Sequence, residues 1–265
     1  MTFILIYLGV GALAGILAGL LGIGGGLVIV PMLTFVFTAQ GMAHGVILHV
    51  ALGTSLATIL FTSLSSMRSH HKRGAVVWPV VLRITPGILT GTFLGTWIAS
   101  MLSTDFLKGF FGFFLLYVAA QMLMGIKPKP TREVPAAAGI FTAGSIIGVF
   151  SSLVGIGGGT LSVPFLVWCN TRIHKAIGTS AAIGFPIAVA GSLGYMLNGM
   201  GTQGLPPLSI GFVNLKALAG IVAASVLTAP MGVRLAHSLP IDKLKRIFAV
   251  LLCVVGCKMV FSTLF

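Results

Sequence analysis

An all-α integral membrane protein, built as two inverted repeats of about five membrane segments that each start with a glycine-broken helical hairpin, is the fold the sequence predicts. Three observations predict it: a composition suited to lipid, an internal duplication, and basic residues gathered in a few loops. The 265 residues are 57% hydrophobic and 7% charged, with a mean hydropathy of +1.10, whereas a soluble domain carries about 25% charged residues. Apolar stretches run over residues 3–37, 46–64, 76–102, 109–126, 136–168, 176–197, 212–236 and 247–265, and most exceed the roughly 20 residues a helix needs to cross the hydrocarbon. Alternating strands of about ten residues, the mark of a membrane barrel, are absent from the sequence. Helices then remain as the way to satisfy the backbone in lipid. No basic residues precede the first apolar stretch and no small-residue cleavage pattern follows it, so it reads as part of the fold rather than a removed signal.

The duplication is gapless over GALAGILAGLLGIGGGLVIVPML at Gly11 to Leu33 and GSIIGVFSSLVGIGGGTLSVPFL at Gly144 to Leu166. GIGGG recurs intact, and Pro31 aligns on Pro164. A second block follows in each half, ALGTSLAT from Ala51 and AIGTSAAI from Ala176. A weaker echo pairs Ser103 to Lys108 with Pro240 to Lys245, with Gly95 and Gly232 at equal distances upstream. The expected organisation is a first membrane repeat over residues 1–126, a cytoplasmic linker over 127–135 and a second membrane repeat over 136–265.

Orientation follows from charge. Eight straight spans would give both halves the same orientation. They would also split twelve of the sixteen basic residues six and six between the two sides. These are Arg68, Lys72 and Arg73; Lys127, Lys129 and Arg132; Arg172 and Lys175; and Arg234, Lys243, Lys245 and Arg246. The positive-inside rule disfavours that split. All twelve share one side if residues 136–168 leave and return, and by the repeat residues 3–37 do the same. A straight helix of that length would run about 50 Å, against a core of roughly 30 Å. GIGGG supplies the break, since glycine tolerates positive φ and costs a helix about 1 kcal/mol relative to alanine. Five segments per half, an odd number, make the repeats inverted, with both termini outside.

Irregular backbone at membrane depth is tolerated where it is buried in protein or lines a cavity. Three consecutive glycines exceed what close helix approach requires, so Gly24, Gly25, Gly26, Gly157, Gly158 and Gly159 are candidate substrate-lining residues. Freed amides at a helix start suit an anion. Gly11, Gly15, Gly19 and Gly22, at i,i+4 spacing, read instead as a packing face. The hydroxyls of Thr54, Ser55, Thr179 and Ser180 have two readings, bonding an oxyanion or bonding their own helix carbonyls. Arg83 and Lys216 lie furthest inside apolar segments, and the three acids, Asp105, Glu133 and Asp242, sit in or beside loops. Intramembrane cations without acidic partners favour a bound anion, and snorkelling to an interface is the other reading.

Other chemistry has little support. The net charge of +13 is placed in loops as topological information and does not point to nucleic acid. Cys169, Cys253 and Cys257 form neither a redox nor a zinc frame. The six histidines are not paired with carboxylates at metal-ligand spacing. No cofactor, metal site or enzymatic activity is expected.

The duplicated glycine blocks, Ala14 to Leu33 and Ala143 to Leu166, each followed by GTS at Gly53 to Ser55 and Gly178 to Ser180, resemble the sulfite exporter TauE/SafE family of membrane permeases over nearly the whole chain. The resemblance implies a multi-pass permease of the plasma membrane, in a bacterium the inner membrane, moving a small sulfur-containing anion such as sulfite or an organosulfonate. It implies a secondary mechanism, for which a proton or another ion is the coupling partner. A channel for a small solute or ion is the alternative that the residues leave open.

Overall fold

The computed structural model describes residues 2–22, 24–125, 132–238 and 241–264. Lys127 and Lys129 of the linker, Ile126 at the end of the first half and Pro240 of the weaker echo lie outside the described residues. The first half forms α1 (Thr2–Leu21), α2 (Gly26–Ala39), α3 (His44–His71), α4 (Trp78–Met101) and α5 (Thr104–Met124). The second forms α6 (Ala137–Val154), α7 (Gly159–Trp168), α8 (Ile173–Asn198), α9 (Leu215–Ser238) and α10 (Ile241–Leu264). Among the described residues, six of these helices, α1, α3, α5, α6, α8 and α9, are long and apolar enough to cross a membrane, and α2 and α7 are shorter apolar helices. The chain is therefore an all-α, multi-pass membrane protein. One departure is a pair of two-residue antiparallel strands, β1 (Ser209–Ile210) and β2 (Val213–Asn214), in the connection between α8 and α9. Its sequence gave no strand periodicity, and two residues per strand are too few to carry one.

Both long apolar segments break at GIGGG. Helix α1 stops where Gly22 turns to φ +69°, and Gly24 and Gly25 follow at +78° and +83°. Helix α6 stops at Gly155, φ +67°, and Gly158 at +76° starts α7. An L side chain in this left-handed region costs roughly 1–2 kcal/mol, which is why the break needs glycine. The limbs on either side of each break pack chiefly on other helices rather than on each other: α1 on α9, α2 on α3, α6 on α4 and α7 on α8. The expected hairpins are thus breaks whose limbs diverge.

Helices α3 and α8 pack face to face at the centre, with α5 against α10. Of the glycines at i,i+4 spacing, Gly11, Gly15 and Gly19 do bring α1 close to α9, facing the backbone at Ile221, Ser225 and Ala229. Gly144 and Gly148 of α6 face Ile84 and Ile88 of α4 in the same manner. Gly22 differs, since it ends α1 rather than packing along it.

A Cβ on Gly148 would lie 2.6 Å from the Ile88 carbonyl oxygen and 2.7 Å from the Thr92 nitrogen. Gly148→Val should therefore push α6 off α4 and destabilise the protein by about 1–3 kcal/mol. Gly9, with nothing within 4 Å of its added Cβ, is the control: Gly9→Ala should be neutral or slightly stabilising. Thermal unfolding of both variants in detergent checks the contrast.

Candidate functional site

The two glycine turns meet. A Cβ on Gly24 would lie 3.1 Å from the Gly157 Cα, and one on Gly26 would collide with the Gly155 carbonyl oxygen. The crossing sits at mid-height of the two central helices, since Gly24 abuts Ile59 near the middle of α3 and the Gly157 carbonyl abuts Gly184 near the middle of α8. Helices α2 and α7 both start there, so the amide-rich ends of two helices converge on one buried point. Among the described residues, no hydrogen bond ends on the amides of Gly24, Gly25, Gly157 or Gly158. Gly26 and Gly159 are the first residues of α2 and α7, and they are buried with the rest of the turns. The first N–H groups of a helix have no partner within it.

The GTS blocks fasten this crossing. Ser55 Oγ donates to the Gly155 carbonyl at 2.7 Å, and Ser180 Oγ donates to the Gly22 carbonyl at 3.2 Å while accepting from Ser162 Oγ at 2.8 Å. Thr54 Oγ1 accepts from the Asn214 amide at 2.9 Å, and Thr179 Oγ1 accepts from the Val77 amide at 3.0 Å. All four side chains are fully buried, and apart from the Ser162–Ser180 bond within the second half each bond joins one half to the other. The glycines of the two blocks approach the opposite half too, Gly53 at the Phe212 carbonyl and Gly178 at the Ala75 carbonyl. The partners of these hydroxyls lie on other elements and are not the carbonyls of their own helix. Within each half, His70 Nε2 lies 3.1 Å from the Gly19 carbonyl, and Tyr195 Oη donates to the Ser152 carbonyl at 3.0 Å.

A crevice opens beside the crossing, lined by Gly22 and Gly24 of one turn, Gly157 of the other, Ser63 and Ser66 of α3, and Gly184 of α8. It is narrower than a water molecule in this conformation. Ser63 and Ser66 are 2% exposed; Ser63 Oγ donates to the Leu60 carbonyl at 3.2 Å, whereas Ser66 Oγ has no hydrogen-bond partner. Sequence reasoning passed over both serines, since a serine in an apolar helix carries no signal by itself.

Arg83 and Lys216 lie elsewhere. Both are exposed, Arg83 on the outer face of α4 and Lys216 as the second residue of α9. His49 is packed in α3, its Nε2 3.0 Å from the Ala99 carbonyl and its ring 5.1 Å from that of Phe212. His44, which carries no spacing signal, pairs with Asp105 at 3.4 Å on the surface. Cys169 is buried just past α7, and burial raises its thiol pKa despite the pull of nearby Arg132, the opposite of a reactive thiolate. Among the described residues, no three His, Cys, Asp or Glu side chains gather as metal ligands.

The chain matches the family model described as sulfite exporter TauE/SafE over residues 7–259. It is 38% identical over 260 residues to a probable membrane transporter protein of Haemophilus influenzae, covering 97% of this chain and 98% of that one. It is 29% identical to the probable membrane transporter protein MJ0441 of Methanocaldococcus jannaschii, over 93% of this chain and 91% of that one. Its full length aligns with the full length of YunE, a probable membrane transporter protein of Bacillus subtilis, at 26% identity. No solved structure matches the chain.

Removing either serine staple strips a buried carbonyl of its donor, which costs about 1–3 kcal/mol. Ser55→Ala and Ser180→Ala should each lower the melting temperature of the detergent-solubilised protein. Ser180→Ala should have the larger effect, because it also abandons Ser162.

Proposed function

The chain belongs to the sulfite exporter TauE/SafE family, and we propose that it is a secondary transporter that moves a small sulfur-containing anion, sulfite or an organosulfonate, across the plasma membrane. The observation that carries this reading is the meeting of the starts of α2 and α7 at one buried crossing, with amides left over on both turns. Converging helix N-termini present partial positive charge and free donors, which is what an oxyanion requires. Broken helices facing each other at mid-height are a common way to build a transporter's binding site. The substrate-lining residues are then Gly24, Gly25 and Gly26 with Gly157, Gly158 and Gly159. Ser55 and Ser180 hold the turns in place from the opposite half, and Thr54 and Thr179 bond the opposite half at Asn214 and Val77. Arg83 and Lys216 reach toward the membrane interface from exposed positions.

The crevice is narrower than water, which supports alternating access over a standing pore. An anion must be admitted by movement of the halves. No step of covalent chemistry is called for, and the protein acts as a permease rather than an enzyme, with a proton or another ion as coupling partner. Residues 1–126 and 136–265 act as the two moving halves, joined through residues 127–135.

The inverted arrangement is part of the same proposal. Its supports are five helices on either side of the linker and contacts that exchange between the halves, α1 on α9 against α6 on α4, and α4 on α8 against α9 on α3. Loop charge supports it too: Arg73 and Lys175 fall on one side in this arrangement. Both termini then lie outside and the basic loops in the cytoplasm.

Protein reconstituted into liposomes should take up sulfite or a sulfonate saturably, at a rate that follows an imposed ion gradient. Arg83→Ala should stay within about twofold of wild type, as a snorkelling residue should. Non-saturating flux indifferent to any gradient would sink the transporter reading. In a background lacking Cys169, Cys253 and Cys257, cysteines placed at Lys72 and Lys175 should be labelled from the same face of the membrane; labelling from opposite faces refutes the inverted arrangement.

A further inference from the structure

We infer that Ser66, seconded by Ser63, is the side-chain ligand of the transported anion, and that the repeat furnishes this seat on only one side of the glycine crossing. The inference rests on the permease reading and assigns a residue and a sidedness within it.

Helices α3 and α8 carry the aligned GTS blocks and run on unbroken past them. Continuing that alignment along both helices sets Leu56 opposite Ala181, Ile59 opposite Gly184, Ser63 opposite Ala188 and Ser66 opposite Gly191. Two crevices are therefore related by the duplication, one on each side of the crossing. On the first, α8 contributes only Ala181 and Gly184, so space remains, and α3 lines that space with two hydroxyls. On the second, α3 contributes Leu56 and Ile59, both fully buried. Leu56 fills the space beside Gly191, where an added Cβ would lie 2.7 Å from its Cδ1, and Ile59 presses on Gly24, 3.1 Å from the corresponding point. The two hydroxyls of α3 fall on one side, and the bulk of Leu56 and Ile59 on the other.

Burying a hydroxyl with nothing to bond is costly, and such a group in a native structure calls for an explanation. Ser66 Oγ is that group. It lines the same crevice as Gly24 and Gly157, whose amides have no partner among the described residues. The Ser66 hydroxyl on one wall and the glycine turns that start α2 and α7 on another present a donor and positive partial charge to the acceptor oxygens of a sulfite or sulfonate group. Ser63 turns to the Leu60 carbonyl at 3.2 Å, a long bond that it can exchange for a ligand oxygen as the crevice widens. Ser151 Oγ of α6 is likewise buried without a partner. It stands opposite Ala18 in the repeat, and so on the side that Leu56 and Ile59 fill.

The test is the melting temperature of wild type, Ser66→Ala and the double variant Ser63→Ala/Ser66→Ala in detergent, against rising sulfite, sulfoacetate, thiosulfate and sulfate. A ligand that binds the native state raises its stability. Without anion, Ser66→Ala should melt at or above wild type, because an unpartnered buried hydroxyl has been removed. With the anion that stabilises wild type, its half-maximal concentration should rise about tenfold or more, the loss expected for one hydrogen bond to a charged group. Responses of both variants that match wild type overturn the inference and leave the permease reading standing. If none of the four anions moves the wild-type melting temperature, the sulfur-anion reading fails and this inference fails with it.

Discussion

Breaking a helix inside a membrane frees amides and carbonyls that hydrocarbon cannot satisfy. Here the two sets of groups have different fates. The freed carbonyls of Gly22 and Gly155 are each taken by a serine of the opposite half. The amides of Gly24, Gly25, Gly157 and Gly158 are left unclaimed among the described residues. Two helix N-termini meet there, so the crossing carries positive partial charge without a cationic side chain among the described residues that line it. An anion is the ligand that such a place stabilises, and the chain can be selective there without burying a lysine or arginine at a cost of several kcal/mol.

The same constraint ties the halves together. Ser55 and Thr54 reach from α3 into the second half, and Ser180 and Thr179 reach from α8 into the first, each to the partner that the repeat relates to the other's. A rocking motion that opened the crevice would have to stretch matched bonds on both sides of the crossing. Each neutral bond contributes on the order of 1 kcal/mol net, so the set resists drift yet stays within what a bound anion could offset. His70 and Tyr195 serve the other requirement, holding each half rigid by gripping a carbonyl of its own first helix at Gly19 and Ser152.

Much of this is legible in the sequence because lipid leaves few solutions. Segment length against bilayer thickness locates the breaks at GIGGG, and composition fixes an all-α chain. The role of the GTS hydroxyls was beyond reach, since their partners lie 100 residues or more away and one helix read alone offers only itself or a ligand. Counting apolar residues places Arg83 and Lys216 deep, whereas Lys216 is the second residue of α9 and Arg83 is exposed on α4. Ser63 and Ser66 were written in the repeat all along. Their signal is a difference, hydroxyls where the repeat has Ala188 and Gly191, and it emerges only when the alignment is continued past the identical residues.

That difference bears on why a duplicated transporter does not remain symmetric. Two equal halves would build two equal crevices, and the conformations that expose one or the other would be equally populated without a ligand. Leu56 and Ile59, where the repeat has Ala181 and Gly184, remove that degeneracy. Burying one large aliphatic side chain is worth about 1.5–3 kcal/mol, and even the lower figure shifts a balanced pair of states by roughly tenfold. The duplication thus lays out two related sides of one crossing, and the divergence of four positions in two central helices makes those sides unequal.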